Sequence, residues 1–336
     1  MRRAGALGIL LVVTAAGSAC DQAGTVTPVP EAGTSSTTVA PSVLERGEYL
    51  VKTVAGCGEC HTPRTADGSL DTSQWLVGVP NRFDLVPDDD TMGGISTQNL
   101  TPANLATWSD AQIEQAFLDG VANDGSPLYP LMPYYAYHNM TAADAAAIVA
   151  YLRAIPAIPS AIPARQPLPE PLLAPAPSLP ESAIPQTTLA ATDPRYASAE
   201  RGRYLAGEIG FCLDCHTTWR AGVTPPLDLT RVFAGGRAFS AREWVVPSPA
   251  PAVVYSYDVT PAASGIMGWT ANDVAVAITY GAPPGGASLC RPMPFGPVGG
   301  LGGILAQDAL DIGNYLTTIP PVDGGEIPQC PAVTDD

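Results

Sequence analysis

The chain has 336 residues, a length that accommodates two domains of about 150 residues each. Its 33 glycines and 36 prolines disfavour long uninterrupted elements, while 46% apolar residues exclude a disordered or collagen-like chain. With 32 acidic residues against 16 basic ones, Lys52 the only lysine, and a net charge of −16, the surface repels phosphate backbones. Nucleic acid is thereby excluded as a partner, and a partner with a basic docking face is favoured.

Residues 1–19 open with Arg2 and Arg3, continue as an apolar run from about Ala4 to Ala16 and end in Gly17-Ser18-Ala19, the layout of a secretory signal peptide. Cleavage after Ala19 would leave Cys20 at the new N-terminus. The flanking residues resemble the lipobox of bacterial lipoproteins, in which that cysteine is acylated; a plain signal peptide with an incidental cysteine is the alternative. Residues 20–41, rich in Thr, Ser, Pro, Ala and Gly, read as a flexible tether. The expectation is an exported protein on the periplasmic side of the envelope, held to the membrane only through a lipid anchor.

Ser42 begins a helical stretch that runs through Ala55 and ends at Gly56, with Val43, Leu44, Leu50, Val51 and Val54 compatible with one face. Ser109 with Gln112, Thr141 with Asp144, and Thr270 with Asp273 have capping-box spacing and mark three more helix starts. No run of β-alternation competes. Trp244-Val-Val246 and Val253-Val254-Tyr255 are expected to make a small strand pair within an insertion.

The chain repeats itself. Arg46-Gly47-Glu48-Tyr49-Leu50 recurs as Arg201-Gly202-Arg203-Tyr204-Leu205, and Cys57-Gly-Glu-Cys60-His61 recurs as Cys212-Leu-Asp-Cys215-His216, both at an offset of 155. The offset grows to 159 at Thr101/Thr260, 161 at Trp108/Trp269 and 164 at Tyr151/Tyr315. Ordered landmarks with slowly growing offsets describe a duplication with small insertions in the second copy. The stretch between, 157–194, is proline-rich and reads as a semi-rigid spacer.

Cys-x-x-Cys-His reads as a c-type haem attachment site. On one helical turn residues i, i+3 and i+4 face the same way, so two thioethers and an imidazole meet one macrocycle. His61 and His216 are the expected proximal iron ligands. A thioredoxin-like pair expects a βαβ context that the sequence lacks, and a zinc site wants four clustered ligands where each copy offers three. Late in each copy stands a Met-Pro pair, Met132-Pro133 and Met293-Pro294, 71 and 77 residues after the histidine. Met132 and Met293 are the expected sixth ligands, which would fill both irons and block oxygen or peroxide chemistry; core filling is the alternative. His138 reads as a solvated loop histidine, and Met92, Met140 and Met267 as packing residues. No residue is assigned a catalytic role.

Arg46-Gly47-Glu48-Tyr49-Leu50, Asn99-Leu-Thr-Pro102, Trp108-Ser-Asp110, Pro127-Leu-Tyr-Pro-Leu-Met-Pro133-Tyr134 and Tyr151-Leu-Arg resemble class I cytochromes c. They resemble in particular the multihaem cytochrome c subunits of membrane-bound bacterial alcohol and gluconate dehydrogenases. The resemblance implies an all-α fold of two tandem cytochrome c domains, 42–156 and 195–322, joined by the linker 157–194 and followed by a tail, 323–336. It also implies crossing terminal helices, with Gly47 against Tyr151 and Gly202 against Tyr315. The chain departs from those subunits in having two haem motifs, no C-terminal membrane segment, and Cys290-Arg-Pro-Met293 in the second methionine loop. Cys290 and Cys330 remain; a disulfide between them would close a loop of about 40 residues and add about 3–4 kcal/mol in the chain-entropy model.

The sequence therefore points to a dihaem c-type cytochrome that passes single electrons between redox protein partners. A periplasmic dehydrogenase on one side and a respiratory acceptor on the other fit that role. A dihaem peroxidase-like oxidoreductase with one open haem site is the alternative.

Overall fold

The computed structural model describes residues 41–84, 94–165, 175–220, 225–240, 253–286, 288–297 and 300–327. The leader, the tether with Cys20, Met92, Trp244-Val-Val246 and Cys330 lie outside the described residues.

The first helix, α1 (Val43–Tyr49), starts where Ser42 Oγ accepts the Glu45 N–H at 3.2 Å and the Glu45 carboxylate accepts the Ser42 N–H at 2.8 Å. It continues as a π-helical turn, Leu50–Val54, and stops at Gly56, which has φ +55°. The attachment motif follows as α2 (Cys57–His61). An antiparallel hairpin, β1 (Val79–Asp84) with β2 (Gly94–Thr97), pairs Val79 with Thr97 and Phe83 with Ile95. Then come α3 (Pro102–Leu105), α4 (Asp110–Asp119), α5 (Tyr134–Tyr137) and α6 (Ala142–Ala154). The second copy contains α7 (Tyr196–Gly207), α8 (Cys212–Cys215), β3 (Ala238–Ser240), β4 (Val253–Tyr255), α9 (Ala271–Tyr280) and α10 (Ala306–Leu316). The expected starts at Ser109, Thr141 and Thr270 are all N-caps, with complete capping boxes at Ser109 and Thr270.

Among the described residues the fold is mostly helical with two small sheets. The hairpin at 79–97 escapes the period-2 reading because Pro80 and Asn81 interrupt it and its register shifts between Val79 and Phe83. In the second copy Val253-Val254-Tyr255 does form a strand, paired with Ala238–Ser240. Among the described residues no helix is long and apolar enough to cross a membrane.

In each copy the first helix crosses the last. α1 packs on α6, and α7 on α10. A Cβ at Gly47 would overlap the Ala147 carbonyl and reach Tyr151 Cβ, and one at Gly202 would do the same to the Asp311 carbonyl and Tyr315 Cβ. Only glycine permits this backbone approach, as the resemblance implied for both pairs.

The described residues form one compact unit, within which equivalent residues of the two copies exchange partners. Arg46 pairs with Asp144 at 2.8 Å, and Arg201 pairs with the equivalent Asp308 at 2.8 Å. The Tyr49 hydroxyl of the first copy donates to Asp308 at 2.7 Å; the Tyr204 hydroxyl of the second donates to Asp144 at 2.6 Å. Tyr49 Oη in turn accepts the Leu305 N–H at 3.3 Å, and Tyr204 Oη accepts the Thr141 N–H at 3.2 Å. Each contact has its mirror, the signature of an isologous interface with two-fold character.

The proline-rich stretch does more than space the copies. Leu179 and Ile184 are fully buried, the Leu179 N–H donates to the Tyr135 carbonyl at 2.9 Å, and the Ala176 N–H donates to Tyr134 Oη at 2.8 Å. Tyr315 Oη donates to the Pro185 carbonyl at 2.8 Å. Prolines lack a donor, but their carbonyls still accept, and the leucine and isoleucine between them enter the core.

Candidate functional site

Each Cys-x-x-Cys-His motif sits on a short helix that is locked by the same contacts in both copies. The Gly78 N–H donates to the His61 carbonyl at 2.9 Å, and the Gly235 N–H to the His216 carbonyl at 2.7 Å. Thr62 Oγ accepts the Leu76 N–H at 3.0 Å, and Thr217 Oγ accepts the Phe233 N–H at 3.1 Å. Beyond the hairpin in each copy the chain presents one carbonyl to the histidine. His61 Nδ1 lies 2.7 Å from the Gln98 carbonyl, and His216 Nδ1 lies 2.7 Å from the Tyr257 carbonyl.

A carbonyl can only accept, so Nδ1 carries the proton in both rings and Nε2 keeps its lone pair. Burial lowers the pKa of His61 and of His216, more strongly than the carbonyl bond raises it. Each ring is thus a neutral imidazole, its tautomer and orientation fixed by an outer hydrogen bond, in the form that ligates a metal.

The four motif cysteines are free and partly buried. Burial pushes the Cys57 thiol up to about 12 and those of Cys60 and Cys212 up to about 11, and it raises Cys215 as well. They are neutral thiols at neutral pH, and a thioether in their place is neutral too, so that substitution buries no charge.

Cys57, Cys60 and His61 line a cavity of about 920 Å³ together with Met132, Leu105 and Phe117. The volume suits a cofactor-sized ligand, and walls that are more apolar than polar, with polar groups such as Asn104 and Arg165 among them, suit one with a hydrophobic body and polar substituents. Gln98, which also lines it, has its buried side-chain Nε2 without a hydrogen-bond partner, a donor available to a carboxylate. The residues present therefore fit a haem held by two thioethers, one imidazole and one sulfur.

Met132, expected as a ligand, lines the same cavity as His61. Met293 is partly buried against the core, as is Cys212. The two methionine loops share one pattern: the methionine N–H donates three residues back, Met132 to the Tyr129 carbonyl and Met293 to that of Cys290, both at 3.1 Å. The N–H two residues on closes the loop, from Tyr134 at 2.8 Å and from Phe295 at 3.0 Å. His138 is half exposed, with Nδ1 2.9 Å from Asp119 Oδ1. Met140 is buried, whereas Met267, expected to pack, is 63% exposed, since it lies in a loop just before Gly268.

The sequence reading missed the residues that tie the motifs to each other. Asp214, inside the second motif, is buried and accepts from Tyr135 Oη of the first copy and from the buried Arg237 guanidinium. Arg237 also donates to the Asp214 carbonyl at 2.9 Å and lies 4.1 Å from the Trp219 ring. The equivalent of Asp214 in the first motif, Glu59, accepts the Gly300 N–H of the second copy at 3.0 Å and pairs with Arg64. The only signal was an acidic residue at the same place in both motifs.

A neutral, oriented imidazole on a Cys-x-x-Cys-His helix, with a methionine lining the same cavity, is an arrangement that suits a c-type haem. The chain is a distant homologue of the cytochrome c subunits of dehydrogenases and of a diheme cytochrome c. No protein-family model matches it. It is 38% identical over 116 residues to a diheme cytochrome c-type protein of Cereibacter sphaeroides, covering 34% of this chain and 36% of the relative. A nicotinate dehydrogenase subunit of Pseudomonas putida is 30% identical over 236 residues, 68% of this chain but 18% of that one. The cytochrome c subunit of a quinone alcohol dehydrogenase of Gluconacetobacter polyoxogenes is 28% identical over 306 residues, 84% of this chain and 57% of the relative. The chain thus spans less than two thirds of the length of each of these relatives.

Proposed function

We propose that the protein is a dihaem c-type cytochrome of the bacterial envelope, two tandem cytochrome c domains (42–156 and 195–322) that receive and pass on single electrons as the electron-accepting subunit of a dehydrogenase. The observation that carries this reading is the duplicated Cys-x-x-Cys-His helix with its histidine fixed through Nδ1 to a backbone carbonyl.

In the first copy Cys57 and Cys60 would hold a haem covalently, and His61, through Nε2, and Met132 would ligate its iron. In the second copy Cys212, Cys215, His216 and Met293 would take the same roles. The bound haem supplies one-electron Fe(III)/Fe(II) chemistry. The chain's own contribution is to hold two ligands per iron, exclude water, and set the environment of each site, the levers by which a protein tunes haem. With a histidine and a methionine on each iron, neither iron would keep a position open for a substrate. The net charge of −16 suits redox partners that dock a basic face onto this one. Acylation of Cys20 would hold the chain at the membrane, and a Cys290–Cys330 disulfide would tie the tail to the loop that bears Met293.

Intact-mass measurement of the denatured chain purified from its native host tests the reading. The expected result is a mass that exceeds the processed polypeptide by two haem groups. A polypeptide without covalent haem contradicts it.

A further inference from the structure

Phe211 immediately precedes the second attachment motif, yet it lines the first cavity with Cys57 and Cys60. Its ring lies 6.2 Å from that of Tyr137, at 62° in an edge-to-face arrangement, and Tyr137 is itself fixed by donating to the Ala55 carbonyl at 2.8 Å. The residue equivalent to Phe211 in the first copy is Gly56. A Cβ there would lie 2.7 Å from the Phe211 ring, so the two equivalent positions meet, and only the second copy contributes a side chain. One turn further on, Asp214 receives Tyr135 Oη of the first copy, and the Cys215 N–H donates to the Phe211 carbonyl at 2.8 Å. The Tyr135–Asp214 contact therefore seats the turn that bears Phe211. The first site is thus lined in part by a side chain of the second copy.

We propose that Phe211 is a tuning residue for the first redox site: by closing its wall beside Cys57 and Cys60 to water it raises the reduction potential of that site, which thereby depends on how the second copy is seated. The inference rests on the reading of the first cavity as a haem pocket. The physical cause is solvation. A ferric haem carries one more positive charge than a ferrous one, and removing water from its pocket disfavours the more charged form. Phe211 is a positioning and shielding group, with no bond to the iron.

The test is a spectroelectrochemical titration of the full-length holoprotein and of the graded series Phe211→Leu, Phe211→Val and Phe211→Ala. Met132→His, which replaces sulfur by a second imidazole and lowers the potential of the first site, assigns the two waves. The expected result is that the first wave falls as apolar volume is lost, by about tenfold in the ferric/ferrous equilibrium for Phe211→Ala, equal to about 59 mV for one electron. The second wave moves less. The graded series keeps the test open should the alanine variant not yield holoprotein. Equal movement of both waves, movement of the second alone, or no movement overturns the inference while leaving the dihaem reading intact. A chain without covalent haem, or a Met132→His variant in which neither wave moves, overturns the underlying reading and the inference with it.

Discussion

A chain carrying Cys57→Ser together with Cys60→Ser is expected to retain a single covalent haem and to take up one electron instead of two. Both thiols lie on α2 beside His61, line the first cavity and are held neutral by burial, whereas α8, with Cys212 and Cys215, is left unchanged. Serine forms no thioether. The His61–Gln98 contact uses a backbone carbonyl and does not involve the thiols, so the loss falls on attachment rather than on the histidine. Intact mass and reductive titration read the outcome. Retention of both haems, or loss of both, contradicts the assignment of one attachment site to each motif.

Asp214→Ala is expected to be the most destabilising single substitution of the interface. Asp214 and Arg237 have side chains only 5% and 6% exposed, and removing one partner of such a pair leaves the other charge buried without compensation, at a cost of about 3–5 kcal/mol. The Tyr135 hydroxyl loses its acceptor in the same change. Tyr135→Phe removes only the phenol and is expected to cost about 1 kcal/mol. Denaturant midpoints of the three proteins measure the difference; an Asp214→Ala cost as small as that of Tyr135→Phe contradicts the account of this network.

What the sequence revealed was what is local or written in side chains. Ser109 with Gln112 and Thr270 with Asp273 announced their helices because capping is a contact between residues three apart. Cys57, Cys60 and His61 announced a shared site because one helical turn places them together. Met132 was legible only through the duplication, which set Met132 and Met293 at matching places. The carbonyls of Gln98 and Tyr257, which orient the two histidines, left no trace, since any residue carries a carbonyl. Asp214 and Arg237 meet across 23 residues of chain, and Tyr135 joins them from the other copy, so nothing in either local sequence marks them. The proline-rich stretch was read by composition alone, and composition did not show that Leu179 and Ile184 enter the core.

In the proposed function both irons are coordinatively filled, so that the protein carries electrons and does not bind a substrate at haem. Reductive titration of the full-length holoprotein, monitored by its absorption spectrum and repeated in the presence of carbon monoxide, tests it most directly. The expected result is uptake of two electrons per chain, a near-infrared sulfur-to-iron band in the oxidised state, and no carbon monoxide complex in the reduced state. A reduced haem that binds carbon monoxide stoichiometrically at neutral pH contradicts it, and would make one site the open centre of an oxidoreductase.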